Sequence, residues 1–142
     1  MEIGHYITTV ENGIKLLGVK PEEVRAEEFA HWSLSRGSAE ILMFLRNSES
    51  MDGEKPALVI MSKIMDLPAV NRELIFETVL KYNFIFVSES FCIENNALYL
   101  KTSRFAHGID PEEVMILLDH LSAAADHLDD ELQRKFKGFS MN

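Results

Sequence analysis

The chain has 142 residues, 46% of them hydrophobic and 26% charged, enough apolar material for residues 1–142 to form one domain with a core that needs no staples. A formal charge of −9 with scattered Lys and Arg argues against nucleic acid, and no uncharged stretch is long enough for a bilayer, so neither nucleic acid nor membrane is an expected partner. A single cysteine, Cys92, excludes an internal disulfide, and the chain does not open on a basic-then-apolar run, so a cytoplasmic protein without a secretory signal is expected.

Ile3, Tyr6, Ile7, Val10, Ile14 and Leu17 fall at steps of three and four, which predicts a first helix over His5–Leu17. Gly18 is placed to end it in a left-handed conformation, and Gly13 inside it is expected to admit another backbone closely. Pro21-Glu22-Glu23-Val24 adds a short turn. Ala30, Trp32 and Leu34 alternate with His31, Ser33 and Ser35, predicting a half-buried strand over Phe29–Ser35, and Arg36-Gly37 turns the chain tightly.

The run Ile41-Leu42-Met43-Phe44-Leu45 predicts a second strand, Ala39–Arg46, covered on both faces. Asn47–Lys55 reads as a mobile polar loop, and Ala57–Met61 as a third strand that extends toward Met65. Leu67-Pro68 opens a second helix with proline in its first turn, and Tyr82-Asn83 closes it. Val70, Leu74, Ile75, Phe76, Val79 and Leu80 leave this helix more apolar than one side of a sheet can cover. Phe76, Val79 and Leu80 are therefore the candidate residues for a dimer or partner interface.

A fourth strand is expected over Phe84–Glu94, kinked at Ser88-Glu89-Ser90, then a two-residue turn at Asn95-Asn96 and a fifth strand over Ala97–Thr102. In the last helix Asp110 is the N-cap, Pro111 the first helical residue and Glu113 the partner in a capping box, with Ile109 stapled onto Val114. Val114, Leu117, Leu118, Leu121, Ala125, Leu128, Leu132 and Phe136 form its apolar stripe, and Gly138 is expected to stop it. The element order is αβββαββα, an α+β fold with an antiparallel sheet packed against helices.

Few residues suggest chemistry, and no catalytic, cofactor or metal site is expected. Asp119, Asp126 and Asp130 share an azimuth with His120 and His127 beside them. Yet histidines seven residues apart lie about 10 Å apart along a helix, too far to share a metal ion. No His-Glu-x-x-His, paired Cys-x-x-Cys or EF-hand loop occurs, and no Gly-x-Ser-x-Gly surrounds Ser33, Ser35, Ser88 or Ser90. Cys92 between Phe91 and Ile93 reads as an inert strand thiol, and Met43, Met61 and Met65 as gap fillers.

From Ala57 to Phe136 the sequence resembles the YbjN family of bacterial sensory-transduction regulators, which shares its fold with the type III secretion chaperones. The residues that carry the resemblance are Ile64-Met65-Asp66-Leu67-Pro68, Val79-Leu80-Lys81-Tyr82-Asn83-Phe84, Phe91 through Leu100 with Asn95-Asn96 at the turn, and Ala124-Ala125-Asp126-His127-Leu128-Asp129-Asp130-Glu131-Leu132. The resemblance brings no catalytic residues. It implies a type III secretion chaperone-like α+β homodimer that holds other polypeptides, or a regulator of unknown ligand; the second hypothesis is a signalling regulator that binds a small ligand between the last helix and the sheet. A metal-assisted hydrolase using Asp126, Asp130 and His127 ranks third.

Overall fold

The computed structural model describes residues 2–137. Its elements run α1 (Glu2–His5), α2 (Ile7–Leu16), α3 (Pro21–Val24), β1 (His31–Arg36), β2 (Ala39–Ser50), β3 (Gly53–Asp66), α4 (Arg72–Ile85), β4 (Ser90–Glu94), β5 (Ala97–Phe105) and α5 (Pro111–Lys135). Two helices, α1 and α2, stand where one was expected, with Tyr6 between them, and α3 is the short turn expected at Pro21–Val24. The rest keeps the αβββαββα order.

The five strands form one antiparallel sheet in the order β1-β2-β3-β5-β4. α5 lies across β1, β2, β3 and β5, and α2 packs on α5. Between them and the sheet sit Val10, Ile14, Trp32, Ile41, Met43, Leu45, Leu58, Ile60, Leu100, Val114, Leu118, Leu121 and Leu132, all buried. Gly13 makes this packing possible: a Cβ there lies 2.5 Å from Val114 Cβ and 2.8 Å from the Pro111 carbonyl oxygen. Gly18 ends the stretch at φ +80°.

Turn chemistry explains the hairpins. Asn95 and Asn96 both take positive φ, the combination a two-residue turn between right-twisted strands demands. Gly37 does the same between β1 and β2, pressed against the Asp126 carboxylate. Asp110 caps α5 by accepting the Glu113 backbone N–H at 2.8 Å. Asp110→Ala is expected to cost about 1 kcal/mol, read as a lowered urea midpoint at unchanged slope. The Glu113 carboxylate does not complete a capping box: it pairs with Arg104 of β5, which also donates to the His107 carbonyl oxygen. The expected stop at Gly138 lies outside the described residues.

Four expectations are corrected. The residues read as a polar loop, Asn47–Lys55, are mostly hairpin: β2 and β3 stay paired to Ser50↔Gly53, because an antiparallel ladder satisfies its backbone whether or not a core lies beneath. β2 is covered on one face only, with Leu42 exposed and Phe44 half-buried on the other. The second helix begins at Arg72, not at Leu67-Pro68. The Leu67 N–H pairs with the Asn96 carbonyl, and Asn71 turns the chain at φ +63°. Phe84 and Ile85 belong to α4 and not to a strand. Asn83 anchors the following crossover, since its side chain accepts the Phe91 N–H at 2.7 Å and donates to the Phe91 carbonyl at 3.3 Å. β4 therefore starts only at Ser90.

Candidate functional site

An apolar strip on α4 is the most prominent unpartnered surface. A helix brings residues four apart to one face, so Arg72, Phe76, Leu80 and Phe84 align. Arg72 caps the row with its guanidinium 5.6 Å from the centre of the Phe76 ring. Leu80 is 65% exposed and Phe84 92% exposed, and Ile85, Val87 and Leu74 are exposed nearby. Ile93 of β4 is also exposed. The opposite side of the helix buries Ile75 and Val79 in the core, and Tyr82, Phe86 and Phe91 stack where α4 meets β4.

The three residues singled out from sequence thus part company. Leu80 lies open on the strip, Phe76 is half-buried beneath Arg72, and Val79, 5% exposed, packs in the protomer's own core. Phe84, Ile85 and Val87 were assigned to a covered strand and lie instead at the open end of the strip. The recurrence 76, 80, 84 at a step of four pointed to Phe84 alone, and only once the helix is known to reach Ile85.

Two further surfaces belong beside it. The sheet face away from α5 carries Leu42 and Phe105 exposed and Phe44, Met61, Tyr99 and Cys92 half-buried. His31 stacks on the Phe44 ring at 5.0 Å between centroids, and the Arg46 guanidinium lies over the ring, 5.7 Å from its centre. Burial pushes the Cys92 thiol above its usual range, which keeps it protonated and unreactive. At the carboxyl end of α5, a cavity of about 590 Å³ opens against β2 and β3. Ser38, Lys63, Met65, Gln133 and Phe136 line it, with the buried Asp129.

The acidic residues of α5 hold the β1–β2 turn. Asp126 accepts the Ser38 backbone N–H at 3.1 Å, Asp129 accepts the Ser38 hydroxyl at 3.0 Å, and Asp119 pairs with Arg36 at 2.7 Å. His127 faces Glu131, and Asp129 also receives Gln133. Among the described residues no three of His, Cys, Asp and Glu come together as a metal-ligand set. Nor is any described helix long and apolar enough to cross a membrane.

No protein-family model and no curated protein matches the chain, so the likeness to YbjN rests on the motif residues alone. Solved structures do match. The Yersinia pestis type III secretion chaperone SycH, solved with a stable fragment of YscM2, is 15% identical, with a TM-score of 0.60 over 87% of this chain and 98% of that one. SpcS, from the ExoT–SpcS complex of Pseudomonas aeruginosa, gives 0.59 at 15% identity over 87% and 96%. SchA, from the HopA1–SchA chaperone–effector complex, gives 0.62 at 6% identity over 92% and 98%. The fold is the α+β fold of the type III secretion chaperones, spanning nearly the whole length of each. At these identities the likeness defines architecture alone.

Proposed function

We propose that the protein is a non-enzymatic, cytoplasmic, chaperone-like or regulatory protein that acts as a homodimer and holds an extended stretch of another polypeptide. The observation that carries this reading is the strip Phe76–Leu80–Phe84 on α4. An exposed row of large apolar side chains is a liability to a lone protomer and an asset once a second copy covers it. The helix-free sheet face and the outer edges of β1 and β4, beyond the bonds of Ala26 to His31 and of Asn83 to Phe91, then offer a partner chain apolar area and backbone groups. The solved structures of this fold support the reading, because SchA and SpcS were each captured with another polypeptide.

Light scattering over a range of concentrations tests it. The expected mass is twice the 16.2 kDa of the chain. Leu80→Glu with Phe84→Glu is expected to weaken association more than tenfold and to leave folded monomer, since both side chains already face solvent. A folded double variant that keeps the wild-type mass takes α4 out of the interface.

A second reading has one observation in its favour. The cavity of about 590 Å³ between α5 and the sheet is large enough for a small ligand, as a regulator of the YbjN type requires. A metabolite that raises the melting temperature, an effect abolished by Gln133→Leu, is the result that reading needs.

A further inference from the structure

We propose that the acid-rimmed surface around Phe29 is the docking point for a basic polypeptide segment, one in which Lys or Arg alternates with apolar side chains. The proposal rests on the polypeptide-binding reading and gives it a place and a charge. Phe29 stands 67% exposed between α3 and β1 while its neighbour Ala30 is buried. What holds it out is backbone geometry. Ala30 takes φ +59°, a left-handed conformation that alanine rarely adopts. His31 donates from Nδ1 to the Phe29 carbonyl at 2.9 Å, and the Ala26 N–H reaches the His31 carbonyl at 3.0 Å.

The ring divides two hollows. One, about 230 Å³, lies toward α2 over Ile7 and Trp32; the other, about 340 Å³, lies toward Ile3 and Asn47. Each has apolar walls and a carboxylate rim: Glu27 and Glu28 at the first, Glu2 and Glu54 at the second. Arg25 is the one Lys or Arg lining either hollow, and Glu11 binds its guanidinium through two bonds of 2.7 Å. Among the described residues Glu2, Glu27 and Glu54 have no ion-pair partner, and Glu28 has only the His31 ring at 3.7 Å. An exposed aromatic with an apolar seat on each side and unpaired carboxylates around it fits an extended chain. Its apolar side chains fill the hollows while its cations lie over the rim.

The test uses two fluorescent twelve-residue peptides with the same leucines, one interspersed with lysine and the other with glutamate. Anisotropy is read on the full chain at low and high salt. The lysine peptide is expected to bind at least tenfold more tightly than the glutamate peptide, and less tightly as salt rises. Phe29→Ser, and separately Glu27→Lys with Glu28→Lys, is expected to weaken it at least tenfold. Glu112→Lys with Asp130→Lys, an equal change in net charge elsewhere, is expected to leave it unchanged. Equal loss in both charge-reversed variants, or equal affinity for both peptides, overturns the proposal. Reduced, carboxymethylated α-lactalbumin serves as a general unfolded chain. If the peptides overturn the proposal while the wild type still binds this chain, only the assignment to Phe29 falls; if neither it nor either peptide binds the wild type, polypeptide binding itself falls.

Discussion

Gly13→Ala is expected to destabilise the protein although it replaces the poorer helix former with the best. In an open helix the change gains about 1 kcal/mol. Here the new methyl group meets Val114 Cβ at 2.5 Å and the Pro111 carbonyl oxygen at 2.8 Å. The second contact is backbone at the first turn of α5, which Asp110 and Pro111 hold in place, so it cannot be relieved by rotating a side chain. α2 must lift away from α5, loosening Val10, Ile14 and Val114, all fully buried. We expect a net loss of about 2–3 kcal/mol, at the upper end of overpacking penalties, and a melting temperature lower by roughly 5–10 °C. Asn12→Ala, one residue earlier and exposed, is the control and should gain a few tenths of a kcal/mol. If both variants gain stability, the close approach of the two helices is not rigid and the argument fails.

That glycine was legible in the sequence because its cost had no local excuse: a helix-breaking residue within a regular apolar stripe needs a tertiary reason. The signals at Asn95-Asn96 and Asp110-Pro111 were legible for the same kind of reason, since each is tied to a backbone conformation the residue itself imposes. Phe84 through Val87 were not. Four apolar residues in a row satisfy a buried strand and the end of a helix equally, and only Asn83, bonded to the Phe91 backbone, decides between them. Leu42 and Phe44 misled similarly, because an apolar run does not reveal that only one face of its sheet will be covered.

The candidate site was half legible. Surplus apolar circumference on the second helix was visible, but its direction was not. Val79 and Leu80 are adjacent, about 100° apart around the helix axis, so one turns into the core and the other to solvent. Choosing between them takes the packing of Tyr82 and Phe86 on Phe91, a contact across the crossover. Phe29 escaped altogether, since it sits where an alternating strand pattern starts. Nothing in its neighbours announces that Ala30 will take a positive φ and turn it outward.

Glu11→Gln is expected to produce a loss of stability that depends on pH. The Glu11 side chain, 12% exposed, gathers three donors: Arg25 Nε and Nη2, each at 2.7 Å, and Trp32 Nε1 at 2.9 Å. It thereby ties α2 to the segment after α3 and to β1. The bonds from Arg25 hold its carboxyl below the ordinary range, Trp32 adds to this, and burial opposes it. A folded-state value lower than the unfolded one, near 4.3, makes the stabilisation complete above that unfolded value. It is lost as pH falls through the lowered folded value. Gln keeps one acceptor and no charge, leaving Arg25 without its bidentate partner, so the variant should lose about 2 kcal/mol at pH 7. Urea unfolding of both proteins over a series of pH values from 7 downward should show this gap narrowing once the pH falls below the unfolded value, because the wild type then loses the stabilisation its charge supplies. A gap that persists at low pH would assign the effect to packing. The same tether fixes the segment that presents Phe29, so the variant should also bind the lysine peptide more weakly at pH 7 while its mass in solution, which we propose is set at α4, stays unchanged.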